Sequence, residues 1–110
     1  VWIAPGVSMP FVSLGHPDSA VSEAGLLAAW LAAGGSGVDT AQYYRNAEGV
    51  AAGLRASHAA RSDVFITSKI PCMPGTPEGA LEAVRAELRK LRMEFVDLLL
   101  MHWACSAAQR

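Results

Sequence analysis

Apolar residues gather along this chain in short dense runs, and the intervals between the runs carry apolar residues at helical spacing. Val38-Asp39-Thr40-Ala41-Gln42-Tyr43-Tyr44 begins as a short buried strand and passes directly into the start of a helix. Val64 to Lys69 is dominated by β-branched and aromatic residues and predicts a further strand. Phe95 to Met101 is nearly all apolar, as a strand of a parallel sheet covered on both faces must be. Ahead of these, Gly6 to Gly15 alternates turn formers with apolar residues, which predicts a small hairpin leading into a first strand near Phe11 to Gly15.

The intervals read as helices. Leu26, Leu27, Trp30 and Leu31 recur at helical spacing within Ala20 to Ala33, with Asp18 or Ser19 as the cap and Gly34-Gly35-Ser36-Gly37 as the stop. Asn46 is expected to cap a short helix running to Ser57, with Val50 and Leu54 on its inner face. Thr76-Pro77-Glu78 joins a hydroxyl cap, a proline at the first helical position and a carboxylate near the positive end of the dipole. The helix it starts runs to Arg92, with Leu81, Val84, Leu88 and Leu91 on one stripe and Glu82, Arg85, Arg89 and Lys90 away from it.

Strands thus alternate with helices, and right-handed crossovers make their sheet parallel. The expected fold class is α/β: a partial (β/α)8 TIM barrel of about four parallel strands and three helices, preceded by a short hairpin. A whole barrel takes roughly 250 residues, so residues 1–110 are expected to form a single, truncated domain equivalent to its N-terminal half.

Composition narrows the function. The apolar share of 52% and charged share of 17% suit a piece covered on both sides. A net charge of −1 gives no footprint for nucleic acid or an anionic membrane. The longest apolar helical stretch is too short to span a bilayer. Cys72 and Cys105 have neither metal-ligand spacing nor the density of a disulfide framework, so free thiols and a cytoplasmic location are expected. His16 and His58 read as surface loop residues and no metal site is expected. Arg89, Lys90 and Arg92 read as a solvated cluster favoured by a helix C-terminus.

Barrel enzymes carry their chemistry at the C-terminal ends of the strands. Asp39, Lys69 and His102 fall there, and Tyr44 lies just beyond. Lys69 beside Tyr44 would make the phenol a better proton donor and acceptor near neutral pH, and Asp39 would hold Lys69 charged and in place. His102 could hydrogen-bond a substrate carbonyl oxygen. Such a set suits carbonyl reduction when a hydride donor lies on the other face of the substrate. Tyr43 reads as the core member of the tyrosine pair.

These segments resemble the N-terminal half of an aldo-keto reductase. Asp39-Thr40-Ala41-Gln42-Tyr43-Tyr44-Arg45-Asn46 resembles the family's D-T-A-x-x-Y-x-N segment, Phe65-Ile66-Thr67-Ser68-Lys69 its F-[IV]-T-[ST]-K strand, and Asp97-Leu98-Leu99-Leu100-Met101-His102-Trp103 its D-L-x-L-[MI]-H-W strand. The resemblance implies an NADP(H)-dependent oxidoreductase that reduces an aldehyde or ketone to an alcohol. Tyr44 would be the general acid, Lys69 and Asp39 its tuning partners, and His102 the substrate-orienting residue. Trp103 would form part of the substrate pocket wall, and Asp39 would also serve the cofactor. His16 stands where the family usually has Thr, and Ala104 replaces the proline that follows His-Trp. In the family most contacts to NADP(H) come from the second half of the barrel.

Two other readings stand beside this one. Lys69 could be the Schiff-base nucleophile of a barrel aldolase, or the chain could be a non-catalytic relic that acts only by associating with other chains. A small-molecule carbonyl substrate and self-association through exposed sheet edges are the expected partners; nucleic acid and membrane are not.

Overall fold

The computed structural model describes residues 1–15, 20–72 and 76–103, with the side chains of residues 20–23 left aside. A two-stranded antiparallel hairpin, β1 (Trp2–Ala4) and β2 (Val7–Ser8), opens the chain and turns at Pro5-Gly6, where Gly6 takes a φ of 75° that its missing Cβ permits. A four-stranded parallel sheet follows in the order β3-β4-β5-β6, formed by Ser13–Gly15, Gly37–Asp39, Phe65–Ile70 and Leu98–Met101. Between successive strands lie α1 (Ala20–Ala32), α2 (Ala47–Ser57) and α3 (Pro77–Leu91). The fold class expected from the pattern is therefore found: parallel strands in chain order, three crossover helices and a preceding hairpin. The hairpin sits earlier than expected, and β3 begins at Ser13 rather than Phe11, which is left exposed. The Asp18 or Ser19 cap lies outside the described residues.

The sheet and helices meet in one core. Val38 and Ile66 are register partners in β4 and β5 and are fully buried with Leu27 of α1, Val50 of α2 and Leu91 of α3. Each such side chain contributes about 1.5–3 kcal/mol by leaving water. Gly53 lets α2 lie close to α1, since a Cβ there would come 2.8 Å from Leu27 Cβ and 3.0 Å from the Ala24 carbonyl oxygen. Trp30 is fixed by its indole N–H donating to the Gly37 carbonyl at 2.9 Å.

Alternation along a strand sends Val38 and Ile66 to the helices and their neighbours Asp39 and Thr67 to the other face. At the N-terminal strand ends Arg61 acts as a clamp. Its guanidinium donates to Asp97 Oδ2 at 2.7 Å, to the Val64 carbonyl at 2.6 Å and to the Phe95 carbonyl at 3.2 Å, and lies 4.3 Å from the Phe95 ring centroid. Asp97 Oδ2 also accepts from Ile66 N at 2.8 Å, so this carboxylate binds β5 to the start of β6.

Three local expectations are corrected. α3 starts as expected, with Thr76 Oγ1 accepting from Gly79 N at 3.1 Å, but its buried ridge is Ala83, Glu87 and Leu91, and Leu81 is exposed. Asn46 occupies the N-cap position of α2 without a side-chain cap bond, because its Oδ1 accepts from Thr40 Oγ1 at 2.7 Å. Cys72 is disulfide-bonded, which overturns the free-thiol expectation for it; Cys105 lies outside the described residues. No helix among the described residues is long and apolar enough to cross a membrane.

Candidate active site

Asp39 ends β4 and Lys69 is the penultimate residue of β5. The register pairs Asp39 with Thr67, so Lys69 shares a face with its strand neighbour's carboxylate but stands one pleat higher, and its long side chain reaches back to it. The two form an ion pair in which the Lys69 side chain is 15% and the Asp39 side chain 34% exposed. Lys69 Nζ also donates to the Thr40 carbonyl at 3.1 Å. Two acceptors in a partly dry site hold the ammonium in a single position.

Tyr44 is delivered by the segment after β4. A single 3-10 turn, Gln42–Tyr44, carries it, with Tyr44 N donating to the Ala41 carbonyl at 3.0 Å and Arg45 reversing the chain at a left-handed φ of 56°. The buried Thr40–Asn46 hydrogen bond spans the base of this segment. Lys69 Nζ consequently lies 5.1 Å from the Tyr44 ring centroid, within cation–π reach.

His102 follows β6, and its backbone N–H extends the ladder by donating to the Ile70 carbonyl at 2.9 Å. Its imidazole meets the Tyr44 ring edge to face, at 5.4 Å and 89°. On its other sides stand Tyr43, with centroids 6.0 Å apart, and Trp103, at 4.6 Å. Edge-to-face contacts of this kind orient rings as well as attract them. His102 Nδ1 is buried without a hydrogen-bond partner among the described residues.

The structure thus brings Asp39, Tyr44, Lys69, His102 and Trp103 to one end of the sheet. Tyr43 is not a core residue: it is 67% exposed and forms a T-shaped contact with Trp103 at 5.8 Å. Thr40 was not singled out by sequence, yet its carbonyl and hydroxyl each fix a neighbour; its place directly after Asp39 was the available signal. Glu87 was also missed. Behind the site, on the helix side of β5, it is only 2% exposed and accepts from Ser68 Oγ at 3.1 Å. Burial pushes its carboxyl above the usual carboxylate range, and the Ser68 hydroxyl and Lys90 only partly oppose this. Among the described residues no three His, Cys, Asp or Glu side chains gather closely enough to hold a metal ion.

Residues 12–108 match the Aldo/keto reductase family. A glyoxal reductase of Bacillus subtilis is 35% identical over 100 residues, which cover 89% of this chain and 36% of that protein. An aldo-keto reductase from a Medee basin deep-sea metagenome library superposes with a TM-score of 0.88 at 29% identity, covering 96% of this chain and 39% of that one. Bombyx mori aldo-keto reductase, solved in complex with NADP, shares the fold with a TM-score of 0.78 at 24% identity, over 90% of this chain and 36% of its own. The chain spans little more than a third of the length of each. Four parallel strands, their helices and the strand-end residues therefore have one source, and the chain belongs to the aldo/keto reductase family.

Proposed function

We propose that residues 1–110 form a partial barrel domain carrying the proton-transfer side of an NADP(H)-dependent carbonyl reductase, with small aldehydes and ketones as substrates. The observation that carries this reading is the placement of the Asp39-anchored Lys69 ammonium against the Tyr44 ring, which His102 meets from another side. The likeness to a glyoxal reductase favours compact 2-oxoaldehydes within that class.

In this reading Tyr44 Oη donates its proton to the carbonyl oxygen, and the Lys69 ammonium stabilises the negative charge left on the phenol until solvent restores the proton. The Asp39 carboxylate holds Lys69 in place beside the Tyr44 ring. His102 orients the substrate. A protonated Nδ1 would be a buried donor without an acceptor, which costs more than a bare ring nitrogen; the proton belongs on Nε2, from which it can reach the carbonyl oxygen. Trp103 and Tyr43 supply aromatic wall.

The donor set present fits a nicotinamide cofactor at one point. Asp39 holds Lys69 through Oδ1 while the carboxylate keeps a third of its surface open, leaving acceptor capacity for a sugar hydroxyl. The cofactor, when bound, supplies the hydride that the carbonyl carbon receives.

The aldolase reading is disfavoured because Lys69 Nζ is held by both Asp39 and the Thr40 carbonyl, which ties the nitrogen down rather than leaving it aimed at a carbonyl carbon. The decisive experiment uses an enzyme in which this half lies within a complete barrel. NADPH oxidation with glyoxal or methylglyoxal, yielding alcohol, is expected; borohydride trapping of substrate on Lys69 without NADPH consumption would replace the reductase with the aldolase. For the isolated chain we propose association through its β3 and β6 edges, with weak cofactor binding.

A further inference from the structure

Along α2 and α3, reaching the turns where both helices finish, two clefts share lining residues. One is an apolar cavity of about 430 Å³ floored by Ala51, Leu54, Leu91, Met93 and Phe95. The other is a polar groove between the outer faces of α2 and α3, carrying Arg89 and Lys90 opposite Glu48. Arg55 and Arg92 line both. The cation cluster noted in the sequence is therefore larger than a helix terminus requires, since α2 contributes Arg55 from across the groove.

The state of each charge decides what this surface suits. Arg61 is occupied by Asp97 and two carbonyls, and Arg89 by Glu82 at 2.7 Å. Arg55 and Arg92 make no ion pair among the described residues and stand exposed at the seam between apolar floor and groove. Glu48 and Glu94 are the acidic members of the two linings. Arg55 lies in the last turn of α2 and Arg92 caps α3, where the negative ends of the helix dipoles disfavour an anion, so any anion has to be held by side chains. Two planar guanidinium groups provide that, since each matches a carboxylate with parallel N–H donors. An apolar cavity of several hundred Å³ with a few convergent polar groups is also the usual form of a small-molecule site.

We propose that this amphipathic cleft binds a single-chain anionic amphiphile, a medium-chain carboxylate whose alkyl tail fills the apolar cavity and whose head lies between Arg55 and Arg92. Charge complementarity selects the head group, and the juxtaposed floor selects the tail. The site is separate from the strand-end cluster and does not depend on the reductase reading.

The test is calorimetric titration of the full chain with dodecanoate below its micellar concentration, beside dodecanol as the uncharged match. Dodecanoate is expected to bind at least tenfold more tightly, and Arg55→Glu with Arg92→Glu is expected to remove that preference. Leu54→Asp should weaken dodecanoate by at least tenfold with the helical circular dichroism retained, whereas Lys69→Met, in the strand-end cluster, should leave its affinity within twofold. Equal binding of dodecanoate and dodecanol, or dodecanoate binding that survives the double arginine reversal, would overturn the proposal. So would capture by phosphatidylserine vesicles without binding of monomeric dodecanoate, which would make the surface a bilayer contact.

Discussion

Lys69 Nζ stands 5.1 Å from the centre of the Tyr44 ring while it is bonded to Asp39, so one ammonium connects the end of β4, the end of β5 and the turn between β4 and α2. In a complete barrel carrying this half, Tyr44→Phe is expected to lower carbonyl reduction by at least ~10²-fold, the low end of what a positioned proton donor contributes. NADPH affinity, read by fluorescence titration, should stay within about threefold, since this phenol is assigned to the proton and not to the cofactor. Turnover above about a third of wild type would remove Tyr44 from the role.

The Asp39–Lys69 pair is dry enough to matter to stability. Removing either partner leaves the other charge partly buried and unmatched. A double-mutant cycle with Asp39→Asn and Lys69→Met, read by urea denaturation, is expected to give a coupling of ~1–2 kcal/mol. A coupling near zero would mean that the pair behaves as an ordinary surface contact.

Glu87 predicts a pH dependence. Burial raises its carboxyl in the folded chain, so the folded state favours the protonated form. Its contribution to stability is complete below the unfolded value near 4.5 and is lost as pH rises through the raised folded value. Glu87→Gln, which keeps an acceptor for Ser68, should therefore raise the melting temperature at pH 7 to 8, with the gain vanishing below about pH 4. A gain of equal size at both ends of the range would assign the effect to packing.

Gly53→Ala sets two effects against each other. Alanine favours the helix by about 0.8–1 kcal/mol, but its methyl would sit 2.8 Å from Leu27 Cβ. Overpacking of this kind typically costs about 1–3 kcal/mol, and backbone lies close on the same side. A lower melting temperature is expected, and a higher one would show that α1 can move away from α2.

The outer strand β6 presents Leu99, Leu100 and Met101 to solvent, and an apolar sheet edge is a template for pairing. Sedimentation of the chain is expected to show dimers or larger species, and Leu100→Lys is expected to shift the distribution toward monomer. A concentration-independent monomer would overturn the association proposed for the isolated chain.

Much of this was legible in the sequence because each βα unit is local. The Val64 to Lys69 run, the Thr76-Pro77-Glu78 start and the strand-end positions of Asp39, Lys69 and His102 can be recognised without knowing what packs on them. Glu87 could not be. A carboxylate on an amphipathic helix reads as solvent-facing, and only the Ser68 hydroxyl, supplied by another element, makes its burial tolerable. The same limit explains Tyr43 and Asn46. Whether an aromatic ring turns inward, or an amide caps its own helix or answers Thr40, is settled by tertiary neighbours and not by spacing.

The Thr40–Asn46 bond closes a seven-residue ring of chain around the turn that carries Tyr44. Ordering a residue costs on the order of 1–2 kcal/mol of backbone entropy, and here that loss is taken when the chain folds, before any ligand arrives. Binding then need not freeze the loop. Cutting the ring by Thr40→Val would return that loss to the binding step, so its mark should be a slower, looser association with whatever Tyr44 meets, in a protein whose sheet is unchanged.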